Sequence, residues 1–130
     1  MAPTAGAVAS FTGLVRSENG QVQRLELEHY PGMTERSISD IIQQAAGRWQ
    51  VLSAVVVHRI GSLKPGEQIV YVGVSSLHRG DAFQACEFIM DYLKTQAPFW
   101  KKEASPQGTR WVDARSSDEA AAQRWQLSPK

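Results

Sequence analysis

Cysteine is nearly absent from this chain of 130 residues, in which Cys86 stands alone. A single cysteine cannot close an internal disulfide and cannot by itself form a structural zinc site. Long apolar runs are also missing, because none approaches the roughly 18 residues that a membrane-spanning helix needs. Residues 1–6 contain neither the basic nor the apolar region of a secretory signal. We therefore expect a protein of the reducing cytoplasm.

An excess of either charge is lacking as well, since 14 basic and 13 acidic side chains leave a formal net charge of +1. Such a balance provides no long-range field to attract nucleic acid. With 42% apolar and 21% charged residues, the composition is that of a folded protein, and the length fits one domain over residues 1–130. Positive charge is concentrated near the end of the chain, which favours a small anionic ligand. Between residues 94 and 115, five basic residues outnumber two acidic ones: Lys94, Lys101, Lys102, Arg110 and Arg115 against Glu103 and Asp113.

The familiar catalytic signatures are missing too. The sequence contains no G-x-G-x-x-G or Walker loop, no H-E-x-x-H or C-x-x-C motif, and no G-x-S-x-G nucleophile elbow. His29, His58 and His78 fall on three different predicted elements, so a metal site built from them is not favoured.

Alternating apolar residues predict two N-terminal strands. Residues 7–15 carry apolar side chains at a period of two, at Ala7, Ala9, Phe11 and Val15. Residues 24–28 alternate two leucines with charged residues, which is typical of a half-buried strand. Asn19-Gly20 between the two segments is a strong turn signal, so the strands are predicted to pair as a hairpin.

Apolar residues at helical spacing predict the first helix, and β-branched segments predict two strands after it. The helix has an apolar stripe of Ile38, Ile41, Ile42, Ala45 and Trp49. Thr34 is its predicted N-cap, and Met33 is placed to form a hydrophobic staple with Ile38. Strands are predicted at residues 54–60 and 69–74, joined by a turn at residues 64–67 in which Gly66 adopts a positive φ.

A second helix is predicted over residues 81–94, with Asp81 as its cap and Pro98 beyond its end. Its buried stripe is Ala82, Cys86, Ile89 and Leu93, so Cys86 is predicted to be a core residue rather than a nucleophile. A turn at residues 105–108, a strand at residues 109–114 and a short helix at residues 118–125 complete the chain. The order β-β-α-β-β-α-β-α predicts an α+β fold with a largely antiparallel sheet.

Two lysines are candidates for chemistry. A bent connection through Pro98 would turn Lys101 back toward Lys94, so that both ammonium groups reach one pocket. Two close ammonium groups lower each other's pKa, because a like charge disfavours the charged form. They would then bind an anion, stabilise an oxyanion or transfer a proton. The alternative is that Lys94 pairs with Asp91 while Lys101 is solvated.

His78 and Arg79 lie just before the second helix, where backbone N–H groups and the helix dipole favour an anion. The alternative for this pair is a solvated loop. Arg16 follows the first strand and is the kind of charge often found at a turn. Phe99-Trp100 beside Lys101-Lys102 resembles an aromatic and basic nucleic-acid patch, but one such cluster on a neutral chain is weak evidence.

Four segments identify a family. They are residues 27–35 (LEHYPGMTE), residues 58–61 (HRIG), residues 72–79 (VGVSSLHR) and residues 88–103 (FIMDYLKTQAPFWKKE). In this order they resemble the molybdopterin synthase catalytic (large) subunit family, and the resemblance runs from about residue 6 to residue 125.

The resemblance implies a sulfurtransferase of molybdenum cofactor biosynthesis that converts cyclic pyranopterin monophosphate to molybdopterin by installing a dithiolene. The sulfur would come from the C-terminal thiocarboxylate of a small ubiquitin-like partner, whose Gly-Gly tail enters the catalytic subunit. Family members form a central homodimer with one small subunit at each end, and they need no metal or organic cofactor. Their α/β hammerhead fold agrees with the predicted α+β class.

The resemblance also assigns roles by position. Lys101 and Lys94 match the two catalytic lysines, which would offset negative charge and assist proton transfer as the thiocarboxylate sulfur attacks the pterin side chain. The expected contacts to the anionic pterin are Arg16, His78, Arg79, Lys102, Glu103 and Arg115. Family members carry an additional N-terminal segment, whereas only five residues precede Gly6 here.

One geometric expectation concerns the second helix. His78 and Arg79 begin it and Lys94 ends it, so a helical rise of about 1.5 Å per residue separates them by roughly 20 Å. One chain would not close that gap around a small pterin, and we expect His78 and Arg79 to reach the lysines of the other subunit across a two-fold dimer.

Two alternatives to the synthase remain at this point. One is a pterin-binding or scaffold homologue that has lost turnover. The other is a small nucleic-acid-binding domain, whose affinity would fall steeply with salt.

Overall fold

The computed structural model describes residues 4–20, 22–29, 31–95 and 99–112. Within these ranges two helices accompany seven strands that pair antiparallel, which confirms the predicted α+β class. In chain order the elements are β1 (Ala7–Leu14), β2 (Arg24–His29), α1 (Met33–Arg48), β3 (Ser53–His58), β4 (Gly61–Leu63), β5 (Gln68–Ser76), α2 (Arg79–Thr95), β6 (Phe99–Ser105) and β7 (Gly108–Val112). The helix predicted at residues 118–125 and the proposed stop at Pro98 lie outside the described residues.

The described strands form two antiparallel sheets. The first sheet has the order β1-β5-β3, and the second sheet has the order β4-β2-β6-β7. The chain crosses from the first sheet to the second between His58, which ends β3, and Gly61, which begins β4. The two sheets therefore adjoin at the end of β3.

The predicted hairpin of the first two strands is wrong. β1 pairs with β5, while β2 pairs with β4 and β6. A turn does form between them, because Asn19 and Gly20 have positive φ values of 57° and 83°. The end of β1 is held elsewhere, however: the Val15 N–H donates to the carbonyl of Glu67, and the Gly66 N–H donates to the carbonyl of Val15, both at 2.9 Å. The turn thus joins strands of different sheets.

The described structure also contains two strands that are not predicted, β4 and β6. Three residues, Gly61–Leu63, form β4, which is too short to show any periodicity. The segment after α2, for which no strand is predicted, forms β6 over Phe99–Ser105. Both predicted turns are present. Gly66 has a φ of 89° between β4 and β5, and Gly108 has a φ of 119° between β6 and β7.

The apolar stripe of α1 is confirmed, with buried side chains at Ile41, Ala45 and the following Trp49. The start of α1 differs from the prediction. Gly32, with a φ of 84°, is the N-cap, and its N–H donates to the carboxylate of Glu35. Thr34 is buried inside the helix, so its predicted capping role is wrong. Met33 follows the cap as the first helical residue and is 58% exposed, so the predicted staple with Ile38 is wrong as well.

Helix α2 begins at Arg79, two residues before the predicted start. Asp81 consequently lies in the first turn, where its carboxylate accepts a hydrogen bond of 2.9 Å from the backbone N–H of Gln50. It ties the end of α1 to α2 instead of acting as a cap, so the cap prediction is wrong. The stripe predicted to be buried is confirmed at Ala82, Cys86, Ile89 and Leu93.

Two apolar clusters hold the fold together. The larger lies between the helices and the first sheet and includes Phe88, which packs at 5.3 Å from Trp49 and 4.5 Å from Tyr92 between ring centroids. The smaller lies on the second sheet and consists of Val15, Val22, Leu25, Leu27 and Leu63. Half-buried Ile69 contacts both clusters, which couples the two sheets. No helix in the described part of the chain is long and apolar enough to cross a membrane.

Candidate active site at the junction of the two sheets

Lys101 lies in the second sheet, at the third position of β6, with its side chain half-buried. It is paired with Leu27 of β2, whose side chain is only 1% exposed. Directly paired residues in adjacent strands point to the same face of a sheet. The side chain of Lys101 therefore leaves the sheet on the side of the smaller apolar cluster.

Two histidines share this neighbourhood. His29 ends β2 two residues beyond Leu27, and so lies on the same face as Lys101 at the diagonal position of the strand pair. His58 reaches the site from the first sheet: Gly61, three residues later in the chain, is paired with Leu27 on the side opposite Lys101. Lys101 and His29 both act electrostatically on His58, and each lowers its pKa.

The surroundings of His58 favour the neutral imidazole. Burial is the main reason that the pKa of His58 falls below its ordinary value of about 6.5. The hydrogen bond to the backbone of Arg59 opposes this shift, while the charges of Lys101 and His29 strengthen it. The site therefore holds a half-buried ammonium group beside an imidazole that stays neutral at neutral pH.

Lys94 lies one residue before the end of α2 and is exposed. Helix α2 follows β5 after Leu77 and His78 and packs back against it, with the thiol of Cys86 3.8 Å from the carbonyl of Val72. The helix thus runs antiparallel to β5, toward the end of the first sheet at which β3 enters the second sheet. Three residues separate the end of α2 from the start of β6. Lys94 and Lys101 consequently lie at the same end of the molecule.

His78 and Arg79 lie at the opposite end of α2, and both are exposed. At about 1.5 Å per helical residue, the Cα atoms of Arg79 and Lys94 are about 22 Å apart. The predicted site residues of one chain therefore fall into two groups, with the lysines at one end of α2 and His78 and Arg79 at the other.

Lys102 and Glu103 occupy different faces of β6. Lys102 is paired with exposed Glu26, on the face opposite that of Lys101. Glu103 is paired with buried Leu25 and shares the face of Lys101. Glu103 also lines a cavity of about 330 Å³, whose described lining residues are Glu18, Val22, Glu103, Ser105, Gln107, Gly108 and Thr109.

Three candidates remain: Arg16, Arg115 and Cys86. Arg16 is exposed in the loop after β1, and Arg115 lies outside the described residues. Cys86 is buried, as predicted, and burial raises the pKa of its thiol, which suits a core residue rather than a nucleophile.

Sequence reasoning missed the association of His29 and His58 with Lys101. The three residues belong to β2, β3 and β6, and their proximity depends on the pairing of non-adjacent strands and on the crossing between sheets. The only available signal was that all three lie within the segments that identify the family. Among the described residues, no group of three or more His, Cys, Asp or Glu side chains could hold a metal ion.

Comparison with known proteins gives a consistent result. Residues 1–96 match the family model described as MoaE protein. The chain is 59% identical over 125 residues to the molybdopterin synthase catalytic subunit of Ralstonia nicotianae, covering 95% of this chain and 71% of that protein. It is 58% identical over 122 residues to the catalytic subunit of Escherichia coli, covering 92% and 81%.

Solved structures agree with these relatives. The molybdopterin biosynthesis MoaE protein of Burkholderia ambifaria superimposes with a TM-score of 0.81 at 54% identity, covering 97% of this chain and 84% of that one. Molybdopterin synthase from Staphylococcus aureus gives a TM-score of 0.81 at 36% identity, covering 86% and 83%.

Proposed function

The chain belongs to the MoaE protein family and is a molybdopterin synthase catalytic subunit, and we propose that it transfers sulfur to cyclic pyranopterin monophosphate to form the dithiolene of molybdopterin. Each of the two dithiolene sulfurs comes from the C-terminal thiocarboxylate of a small ubiquitin-like partner, which is left as a carboxylate. Two thiocarboxylates are therefore used per product, and the cyclic phosphate opens as the second one completes the dithiolene. The observation that carries this proposal is the high identity to curated catalytic subunits over nearly the whole chain. The reaction takes place in the cytoplasm.

Lys101 and Lys94 are the catalytic residues of the proposal. The half-buried position of Lys101 supports this role, because an ammonium group in partly desolvated surroundings stabilises developing negative charge more strongly than one in water. Lys94 approaches the same end of the fold from α2 and adds a second positive charge toward the cyclic phosphate.

His78 and Arg79 contribute to the site of the other subunit. Because about 22 Å separates the two ends of α2, side chains of one chain do not surround one small pterin. A two-fold axis perpendicular to α2 reverses the direction of this helix in the partner. If the partner's helix lies antiparallel, its N-terminal end comes opposite the lysines of the first copy, and each dimer then has two equivalent shared sites.

The first sheet offers a surface for this homodimer. Its helix-free face carries exposed apolar side chains at Val8, Val55, Val57 and Tyr71, with exposures of 56%, 45%, 55% and 36%. Contiguous apolar patches of this kind are typical of protein interfaces. We therefore assign this face, hereafter the valine face, to the contact between the two copies.

Substrate contacts complete the proposal. Arg16, Lys102, Glu103 and Arg115 are proposed to contact the anionic pterin or its surroundings, although Lys102 leaves β6 on the face opposite Lys101. The Gly-Gly tail of the partner delivers the thiocarboxylate to the lysines. A partner that lacks this tail is expected to dock through its globular surface without delivering sulfur.

Reconstitution tests the function. The full chain is incubated with the thiocarboxylated partner and cyclic pyranopterin monophosphate, and the dithiolene product is quantified by its oxidised fluorescent derivative. We expect product with the thiocarboxylated partner and none with the carboxylate form or the tail-truncated partner. Substrate binding without product would instead support a scaffold homologue. Salt-sensitive RNA binding without product would support the nucleic-acid alternative.

A further inference from the structure

His58 has a defined tautomer. Its Nδ1 lies 2.8 Å from the backbone carbonyl oxygen of Arg59. A carbonyl oxygen only accepts hydrogen bonds, so Nδ1 carries the proton and donates to it. In the neutral ring Nε2 is therefore unprotonated and is the hydrogen-bond acceptor.

The ring lies where the two sheets adjoin. His58 ends β3, and its partner across the first sheet is Val70 of β5, which does not titrate. The charged and titratable groups that act on it come from the second sheet, namely Lys101 of β6 and His29 of β2. A half-buried imidazole with an accepting Nε2 thus lies within electrostatic reach of a half-buried ammonium group and a second histidine.

We propose that His58 is a positioning residue for Lys101: its neutral ring accepts a hydrogen bond from the Lys101 ammonium through Nε2 in the working complex and directs that ammonium toward the substrate. The proposal rests on the catalytic role of Lys101 proposed above. The Arg59 carbonyl fixes the ring through Nδ1, as second partners of catalytic histidines commonly do. The junction of β3 and β4, which the Arg59 N–H anchors to the Ile69 carbonyl at 2.8 Å, thereby positions a long, flexible side chain on another strand.

The pH dependence follows from the same arrangement. Protonation of His58 removes the acceptor and places a second positive charge near Lys101. Because burial and the charges of Lys101 and His29 hold the pKa of His58 below its ordinary value, the ring is neutral at pH 7 and becomes charged only in more acidic solution. We expect kcat to fall as the pH drops below about 6.5.

Two substitutions separate the roles of the ring nitrogens. In His58→Asn the amide nitrogen replaces Nδ1 and still donates to the Arg59 carbonyl, but no atom replaces Nε2. In His58→Gln an acceptor oxygen reaches the Nε2 position and does not titrate. We expect at least a tenfold loss of kcat with little change in KM for His58→Asn. We expect partial recovery for His58→Gln, together with loss of the acid limb of its pH profile. Wild-type kcat and an unchanged acid limb in a folded His58→Asn protein would overturn the proposal.

An NMR titration tests the coupling between His58 and Lys101 without any measurement of molybdopterin synthesis. The His58 ring resonances are followed against pH in the full-length wild-type protein, in Lys101→Met and in Lys102→Met, which removes a charge from the opposite face of β6. We expect the pKa of His58 to rise in Lys101→Met and to stay at the wild-type value in Lys102→Met. An unchanged pKa in Lys101→Met would overturn the proposal even if the His58 substitutions failed to fold.

The two proposals fail in distinguishable ways. If the wild-type protein makes product and His58→Asn behaves like wild type, the sulfur-transfer function stands and the role of His58 is refuted. If the wild-type protein makes no product in the reconstituted system, the function is refuted, and the titration still decides whether His58 and Lys101 are coupled.

Discussion

Lys101 and Lys102 are adjacent in sequence but leave β6 on opposite faces of the second sheet. Lys101 is paired with Leu27, which is 1% exposed, whereas Lys102 is paired with exposed Glu26. The alternation of a β-strand sends successive side chains to opposite faces. The two lysines of this motif therefore have different surroundings, and of the two only Lys101 lies on the face of the second sheet that carries His29.

Replacement of Lys101 is expected to remove activity without unfolding the protein. Lys101→Ala should reduce dithiolene formation at least a hundredfold, because charge placed toward the reacting atoms typically contributes several kcal/mol to catalysis. The matched control is Lys64→Ala, which removes an exposed lysine from the turn between β4 and β5. Product formation is measured in the reconstituted system, and folding is checked by circular dichroism. Near-normal turnover of folded Lys101→Ala would refute its catalytic role.

Lys94 is expected to require an ammonium group that can lose a proton. Lys94→Ala should lower turnover strongly, and Lys94→Arg should restore the charge but only part of the activity, since arginine does not release a proton at neutral pH. The single-turnover rates of the wild-type protein, Lys94→Ala and Lys94→Arg are compared. Full activity of Lys94→Arg would show that Lys94 supplies charge alone.

The larger apolar cluster provides a stability test with an internal control. Phe88 is completely buried against Trp49 and Tyr92, with the Arg48 guanidinium 4.8 Å from its ring centroid. Phe88→Ala should destabilise the protein by about 3–5 kcal/mol. Phe83 on the same helix is 64% exposed, and Phe83→Ala should change stability by no more than about 0.5 kcal/mol. Urea denaturation of both variants measures the difference, and equal midpoints would contradict the described packing of α2.

The valine face is expected to hold the homodimer together. Val57→Asp places a charge in the assigned interface, beside Tyr71 of the central strand β5, and should convert the dimer to a monomer in analytical ultracentrifugation. Met33→Asp is the control, because Met33 is similarly exposed, at 58% against 55%, but lies on α1 away from this face. A dimer that tolerates Val57→Asp would place the contact elsewhere.

The spacing of apolar residues within one segment predicts the helices well. The pairing of the strands depends on residues that are far apart in the sequence, and it is predicted less well. The buried faces of α1 and α2 follow from helical spacing within one segment. The β1–β2 hairpin was mispredicted because the end of β1 is bound to Gly66 and Glu67, some fifty residues away in sequence. The strand β4 is too short for a periodic signal. The same dependence on sheet assembly explains why Lys101 was identified from the sequence while its neighbour His58 was not.

The shared active site is the central claim, and a mixed dimer tests it most directly. His78→Ala and Lys94→Ala subunits carrying different tags are co-expressed, and the heterodimer is isolated by sequential affinity purification. Each mixed dimer then has one doubly damaged site and one intact site. We predict that each homodimeric variant is inactive and that the mixed dimer recovers about half of the wild-type dithiolene formation per dimer. A folded mixed dimer without activity would contradict the account, because it would place His78 and Lys94 in the site of a single chain.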